Sequence, residues 1–209
     1  RHSRAMKLFS KFITIFFEFV DLYMIDLEQC FSFLQENEQM RITFKILNLD
    51  DLSELLAFAS MRGLEYIQLA EKNLKDSENY SCFAFLNENN TIVYTRWICK
   101  NQYFSSAFQE HFIFPKGEIL TLDSYTHPDY RNLGMHKEMN KRMLNFLKRE
   151  ASTKKVYLIV KWFYPYLHKT IKELGYKRIR TKIYYKKGII CKIYKRAICR
   201  ITRIILATR

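Results

Sequence analysis

The chain has 209 residues, enough for one domain with its own hydrophobic core. Apolar residues make up 48% of it, which excludes a disordered chain, and no apolar run reaches the ~20 residues of a membrane-spanning helix. The net charge is +14, but all 21 acidic residues lie at or before Glu173, so beyond that residue the charge is purely basic.

The N-terminal segment and the cysteines indicate where the protein is found. Segment 8–20 is apolar, but Lys11 and Glu18 interrupt it and no small-residue cleavage site follows, so we expect no secretion signal. The cysteines form no C-x-x-C pair and have no histidine at metal-ligand spacing; they are Cys30, Cys82, Cys99, Cys191 and Cys199. We therefore expect reduced thiols, a cytoplasmic location and no bound metal.

The first half of the chain predicts strands and two helices. Runs rich in apolar, β-branched or aromatic residues occupy 17–28, 40–47, 80–86 and 91–100. The last two runs are joined by the sequence NENN, which indicates an antiparallel hairpin. Asp50 and Asp51 are expected to cap a helix that ends near Met61, and Gly63 separates it from a second helix over 64–75.

The second half predicts alternating strands and helices after an aromatic loop. The segments are the loop 101–117, a strand over 118–126, a helix over 134–150, a strand over 156–161, a helix over 165–174 and a strand over 176–186. This order predicts an α+β fold, with a mixed α/β sheet flanked by helices. We expect a single domain over 1–188, of which 1–39 is an N-terminal extension, and a basic C-terminal tail over 189–209.

The junction between strand 118–126 and the next helix carries the most specific chemical pattern. It reads HPDYRNLGMHK from His127 to Lys137. The first N–H groups of a helix have no partners within it, so a loop that lets a ligand approach them binds phosphate through the backbone. Gly134 permits that approach, and Arg131 and Lys137 add positive charge. The alternative is a glycine that merely starts a helix beside a solvated arginine.

This loop resembles the phosphate-binding loop of the GNAT superfamily of acyl-CoA-dependent N-acyltransferases. In that family the loop reads Arg/Gln-x-x-Gly-x-Gly/Ala, which Arg131 and Gly134 match, while His136 replaces the last small residue. The family's lead-in, hydrophobic-x-Pro-x-Tyr-Arg, is similar to THPDYR over 126–131.

A second pattern, KELGY over 172–176, resembles the family's late K-x-L-G-F. The resemblance covers roughly 80–186 and extends less clearly to about 40. Two departures stand out: Ile171 lies where many members have a tyrosine acid, and Tyr164 lies where an asparagine is common.

The resemblance implies acetyl-CoA as the acyl donor and direct attack of a primary amine on its thioester. The residues that it places at the cofactor are Ser124, Tyr125, Thr126, Arg131, Asn132, Leu133, Gly134, Met135, His136 and Lys137. The acceptor would be a small molecule such as an amino sugar, with Trp97 and Tyr125 as its contacts. A core position is the alternative for Trp97.

Two carboxylates on strand 118–126 are candidates for the base that accepts the amine proton. Asp123 and Glu118 have opposite parity, so they are expected on opposite faces of the sheet. A carboxylate within an apolar strand is costly to bury unless it has a partner or a function. For Asp123 the alternative to catalysis is pairing with a buried arginine. For Glu118 the alternative is a solvated carboxylate at a strand end.

Tyr164 and His168, at the start of helix 165–174, are candidates for the acid that protonates the leaving thiolate. For both, simple packing on the helix is the alternative.

The tail, 189–209, places isoleucines at helical spacing among lysines and arginines. This pattern is typical of a basic amphipathic helix on an anionic membrane surface; the alternative is a terminal strand and helix packed on the sheet. No nucleic-acid reader motif accompanies the charge, so we do not expect nucleic-acid binding.

The sequence leaves three functions open. The first is an acetyl-CoA-dependent N-acetyltransferase. The second is a catalytically silent GNAT-like module that binds acyl-CoA or acts as a scaffold, which His136 and the missing tyrosine acid favour. The third is a basic protein peripheral to the membrane, in which the tail is the functional part.

Overall fold

The computed structural model describes residues 17–29, 34–37, 40–150, 152–161 and 164–185. The predicted tail, 189–209, lies outside these residues, and so does any membrane contact that it makes. None of the helices that the structure describes is long and apolar enough to cross a bilayer.

Strands and helices alternate along the chain largely as the sequence predicts. The strands are β1 Phe17–Asp26, β2 Thr43–Leu47, β3 Tyr80–Leu86, β4 Ile92–Cys99, β5 Gln102–Ser105, β6 Glu110–Ile113, β7 Glu118–Thr126, β8 Lys155–Lys161 and β9 Lys177–Tyr185. The α-helices are α1 Leu52–Ser60, α2 Leu64–Lys75, α3 Met135–Arg149 and α4 Pro165–Glu173. Short 3-10 turns lie at Leu49–Asp51 and Pro128–Tyr130.

A seven-stranded sheet with the order β2-β3-β4-β7-β8-β1-β9 forms the centre of the molecule. Its strands pair antiparallel except β7 and β8, which are parallel. The predicted α+β fold with a mixed sheet is therefore confirmed. β1 belongs to segment 1–39, yet it lies inside the sheet, where Val20 pairs with Lys161 on β8 and Lys182 on β9.

Two local features differ from those predicted. Asn48 caps the 3-10 turn: its side chain accepts from the Asp50 N–H at 2.9 Å, and the Asp51 carboxylate accepts from the Asn48 N–H at 3.1 Å. Asp51 is the N-cap residue of α1, as predicted, but its side chain makes no capping hydrogen bond to that helix. The aromatic loop, 101–117, contains the β5–β6 hairpin. Strands of four residues are too short to produce a clear alternating pattern in the sequence.

Helices cover both faces of the sheet. α1 and α2 pack on one face through Leu55, Phe58 and Leu74. On the other face α3 buries the side chains predicted to lie together, which are Met135, Met139, Met143 and Leu147, with Phe146 half-buried. α4 packs beside α3 through Ile171 and Leu174.

The two parallel strands separate partway along their length. β7 and β8 pair from Glu118 with Lys155 to Thr121 with Leu158, and the described ladder ends there. On its other side β7 has a bulge, because Ser124 pairs with Arg96 while Thr121 pairs with Ile98. β7 thus has one more residue than β4 between these pairs, and a cleft opens between the C-terminal ends of β7 and β8.

The C-terminus of α4 depends on a glycine. Gly175 adopts φ +92°, the Tyr176 N–H donates to the Ile171 carbonyl at 3.1 Å, and the Gly175 N–H donates to the Lys172 carbonyl at 3.0 Å. This is the Schellman arrangement, in which a left-handed residue ends the helix and satisfies its last carbonyls.

We expect Gly175→Ala to lower the free energy of unfolding by about 1–2 kcal/mol, because a side chain disfavours the left-handed conformation. Urea unfolding measures the change. Lys172→Ala, at an exposed position of the same helix, is the control and should change stability by less than about 0.5 kcal/mol. Equal effects of the two substitutions would contradict the role of the glycine.

Candidate active site

The cleft between β7 and β8 has a volume of about 480 Å³. This lies within the roughly 300–1,000 Å³ typical of small-molecule sites. Its walls are the separating strand ends, the start of α4 with Tyr164 and Leu167, and the β5–β6 hairpin with Ser105. Arg96 from β4 and His136 from α3 also face it.

The loop at the mouth of the cleft leaves the start of α3 open. Asn132 and Gly134 both adopt left-handed backbone conformations, with φ of +63° and +77°. Gly134 is the N-cap residue, and within the part of the chain that the structure describes no side-chain hydrogen bond caps the helix and a Cβ on this glycine would meet nothing within 4 Å. The N–H groups of the first helical turn thus have no side-chain cap among the described residues, an arrangement that suits an anion.

The two cations of this loop are already engaged. Arg131 lies back against the end of β7, where its Nε donates to the Thr126 carbonyl at 3.4 Å and its Nη2 to the Tyr125 hydroxyl at 3.5 Å. Lys137 donates to the Glu173 carboxylate at 2.8 Å and so links α3 to α4. The open backbone amides are therefore the clearest anion-binding feature of this loop.

His136 turns toward the sheet. Its Nδ1 lies 2.9 Å from the Tyr94 hydroxyl, while its buried Nε2 has no hydrogen-bond partner in the part of the chain that the structure describes. Burial, together with the nearby charge of Arg96, lowers the pKa of His136 to about 3. The imidazole is therefore neutral at physiological pH and adds no charge to the loop.

Asp123 lies at the edge of the cleft in an ion pair. Both of its carboxylate oxygens accept hydrogen bonds from Arg62, one of them from Nη2 at 3.1 Å. The Arg62 guanidinium also lies 3.5 Å from the centre of the Tyr66 ring and 4.9 Å from that of Tyr125. The alternative of an arginine partner for Asp123 is thus realised in the structure.

A second pocket, of about 180 Å³, lies between α1, α2 and the sheet. Five aromatic side chains contribute to its lining: Phe58, Tyr66, Tyr80, Trp97 and Tyr103. Tyr103, Leu122 and Asp123 line both this pocket and the cleft, so the two cavities meet at these residues. Trp97 is only 7% exposed and is at once a core residue and a wall of the pocket.

Comparison with known proteins gives structural but not sequence matches. The sequence matches no protein-family model and no curated protein. Among solved structures, the fold is similar to that of an acetyltransferase from the GNAT family of Colwellia psychrerythraea, with a TM-score of 0.55 and 12% identity over 81% of this chain and 56% of that one. The fold is that of the GNAT acetyltransferases.

Two further structures share the GNAT fold. One is the GCN5-related glucosamine N-acetyltransferase region of a fungal multi-domain GH3 β-N-acetylglucosaminidase, with a TM-score of 0.59 and 14% identity over 87% of this chain and 22% of that one. The other is AAC(6')-Iy in complex with the bisubstrate analog CoA-S-monomethyl-acetylneamine, with a TM-score of 0.52 and 9% identity over 69% of this chain and 97% of that one. The chain spans only between 22% and 61% of the length of four of the solved structures that it resembles.

Within this GNAT fold, two of the predicted acid–base residues lie away from the cleft. Glu118 is at the end of β7 that pairs with β8, where it accepts from Lys155 at 3.0 Å and Tyr157 at 2.7 Å. Burial favours a raised pKa for Glu118, but these hydrogen bonds outweigh it and lower the pKa. The β7 bulge also interrupts the alternation from which Glu118 and Asp123 were assigned to opposite faces.

His168 is engaged within the protein. Its Nδ1 lies 2.8 Å from the Tyr23 hydroxyl and its Nε2 lies 3.3 Å from the Lys161 carbonyl, so both ring nitrogens have partners. Tyr164, in contrast, lines the cleft and is 46% exposed. Of the two candidates for the acid, the structure brings only Tyr164 to the cleft.

Sequence reasoning missed Arg62 and Arg96. Arg96 interrupts the apolar run TIVYTRWIC. A charge within a buried strand is costly unless it has a partner or a function, and this argument, used for Asp123, applies equally to Arg96. Arg62 lies in the turn between α1 and α2, where a charged residue is ordinary, so its sequence gives no comparable signal.

Because His136 is neutral in the folded protein, we expect the free energy of unfolding to depend on pH. Between pH 6.5 and about 3 the unfolded chain binds one more proton at this residue than the folded chain, so stability falls as the pH falls. The slope is up to about 1.4 kcal/mol per pH unit, and above pH 6.5 the effect vanishes.

Urea unfolding at pH values of about 7 and about 5 tests this, with His136→Gln as the variant that cannot titrate. We expect the wild-type protein to lose more stability over this interval than the variant. Equal losses would mean that the folded protein accepts the proton on His136 without cost.

Proposed function

We propose that the protein is an acyl-CoA-dependent N-acyltransferase that transfers an acyl group to a primary amine of a small molecule. The observation that carries this proposal is that α3 starts without a side-chain cap among the described residues, while His136 in its first turn lines the cleft between β7 and β8. The free N–H groups at the start of a helix would bind a diphosphate, and the cleft would hold the extended arm that carries the acyl group.

The residues fit such a donor in two places. The backbone N–H groups of Met135, His136 and Lys137 would hold the diphosphate. Ser124, Tyr125 and Thr126 continue β7 past its last described pair with β8, so their main-chain groups on that side would hydrogen-bond the pantetheine arm as a strand does. Acetyl-CoA is the simplest such donor.

The reaction forms one C–N bond and breaks one C–S bond. A neutral amine attacks the thioester carbonyl carbon, the thiolate leaves, the nitrogen loses a proton and the sulfur gains one. Asp123, at the meeting point of the two cavities, would receive the amine, and Arg62 would hold its carboxylate in place. Tyr164, on the cleft wall, is the candidate that would protonate the sulfur.

The aromatic pocket would hold the body of the acceptor. Its lining suits an amine with an apolar or sugar-like face, because aromatic rings bind such faces by contact while Asp123 attracts the cationic nitrogen.

A silent acyl-CoA-binding module is the second candidate function. Ile171, in the position of the usual tyrosine acid, is 1% exposed and belongs to the core, so no acid is available there. This module would bind the donor without releasing its thiol in the presence of amines.

The phosphate site is tested by substitutions that differ only in charge. Gly134→Asp should weaken acetyl-CoA binding by tenfold or more relative to Gly134→Asn, because the carboxylate repels the diphosphate while the two side chains have the same shape. Asparagine tolerates the left-handed conformation that this position requires. Isothermal titration calorimetry measures both affinities.

Equal affinities of these two variants would place the diphosphate elsewhere. If the wild-type protein binds no acetyl-CoA, the transferase and the silent module both fail.

Substitutions of the two carboxylates of β7 distinguish a catalytic role from a structural one. We expect Asp123→Asn to reduce kcat/KM by about 10²–10⁴ while acetyl-CoA affinity stays within about threefold, because the variant cannot accept a proton. Glu118→Gln, on the same strand but at the closed end, is the control and should retain activity. Free-thiol release with a panel of primary amines is the assay.

Similar losses in both variants would contradict the role of Asp123. Thiol release that no amine stimulates, together with tight acetyl-CoA binding, would favour the silent module.

A further inference from the structure

An arginine and an aspartate lie side by side in the wall of the aromatic pocket. Arg62, in the turn between α1 and α2, donates hydrogen bonds to both carboxylate oxygens of Asp123 on β7. Both side chains line the pocket, and they are its only charged residues in the part of the chain that the structure describes. The pocket therefore has one positive and one negative charge before any acceptor enters.

This balance limits the charge of an acceptor that fits. A simple amine binds as its cation, so beside Arg62 and Asp123 it would leave one positive charge without a partner. Such a charge is costly to remove from water. An acceptor that has both an ammonium and a carboxylate adds no net charge, and it gives each of the two protein groups a second partner of opposite sign.

Arg62 retains hydrogen-bond donors for such a carboxylate. A guanidinium has five N–H groups, of which Asp123 accepts two and the Tyr66 hydroxyl is within reach of one more. At least two donors therefore remain. The guanidinium lies 3.5 Å from the centre of the Tyr66 ring and 4.9 Å from that of Tyr125. These ring contacts restrict its movement, so the remaining donors are held in place.

The two cavities determine the direction of the acceptor. Asp123 lines both the cleft and the aromatic pocket, and its side chain is 41% exposed, so an ammonium can reach it. Arg62 lines the aromatic pocket but is not among the described residues that line the cleft. An ammonium on Asp123 would thus lie toward the donor, while a carboxylate on Arg62 would lie away from it.

The short distance between the two protein charges sets the spacing of the ligand charges. Arg62 and Asp123 are in direct contact, with Nη2 at 3.1 Å from Oδ1. A ligand that binds both needs its ammonium and its carboxylate equally close, as they are when one carbon atom carries both. The rest of the ligand would pack against Phe58, Tyr80 and Trp97, which line the same pocket.

We propose that the acceptor is an α-amino acid with an apolar side chain, bound through its ammonium to Asp123 and through its carboxylate to Arg62. This inference rests on the proposed function and names the amine that it acylates. The ammonium releases one proton to Asp123 and becomes the nucleophile. The C–N bond forms as the C–S bond breaks, and a second nitrogen proton passes to the sulfur. The products are an N-acylamino acid and the free thiol.

Amines that differ only in the carboxylate test the proposal. The pairs are L-phenylalanine with phenethylamine and L-leucine with isoamylamine, and glucosamine represents the amino sugars. Each is assayed with acetyl-CoA and the full chain by free-thiol release. We expect kcat/KM to be about tenfold or more higher for the amino acid of each pair, as expected for hydrogen bonds between charged groups.

Substitution of Arg62 should change the sign of this preference. In Arg62→Met the pocket keeps Asp123 without its cation, so the simple amine of each pair should become the better substrate. Arg41→Met, at an exposed arginine on the surface, is the control and should keep the wild-type preference. If Arg62→Met does not fold, Arg62→Lys serves instead and should keep part of the preference, since it retains the charge but loses the planar fork.

A binding measurement gives the same comparison without turnover. Isothermal titration calorimetry of the CoA-saturated protein with the four paired amines should show the same order of affinities, and the same reversal in Arg62→Met.

Three results would overturn the proposal. Equal kcat/KM within both pairs, or a higher value for glucosamine than for either amino acid, would exclude an amino-acid acceptor and leave the proposed function intact. An equal loss for both members of each pair in Arg62→Met would mean that Arg62 only holds Asp123 in place. Thiol release that none of the amines stimulates would overturn the proposed function together with this inference.

Discussion

The separation of two parallel strands is the constraint on which the rest of the site depends. β7 and β8 share a ladder for only part of their length, and the bulge on β7 gives the strand an additional residue where the ladder ends. Polar main-chain groups within a sheet normally pair with the next strand. Among the described residues, those of Ser124–Thr126 have no pair on β8, so their main-chain groups on that side can bind an extended ligand.

The same strand connects the cleft to the start of α3. β7 ends at Thr126, and eight residues later Gly134 is the N-cap of the helix, whose start has no side-chain cap among the described residues. The positive end of the helix and the backbone edge of β7 thus belong to one continuous segment.

Charge is distributed unequally between the two cavities. Where they meet, Asp123 accepts hydrogen bonds from Arg62 on both carboxylate oxygens, so the two side chains form an ion pair. Arg96, which also lines the cleft, has no such partner among the described residues.

The sequence determined the features that depend on neighbouring residues. Helical spacing predicted α3, and the left-handed backbone that glycine permits predicted the breaks at Gly134 and Gly175, because these preferences act within a few positions. Only the tertiary structure decided the rest: the place of β1 between β8 and β9, the pairing of Asp123 with Arg62, and the isolation of Arg96. Each of these joins residues far apart in the chain, and no local pattern specifies which distant side chain or strand will fill a given space.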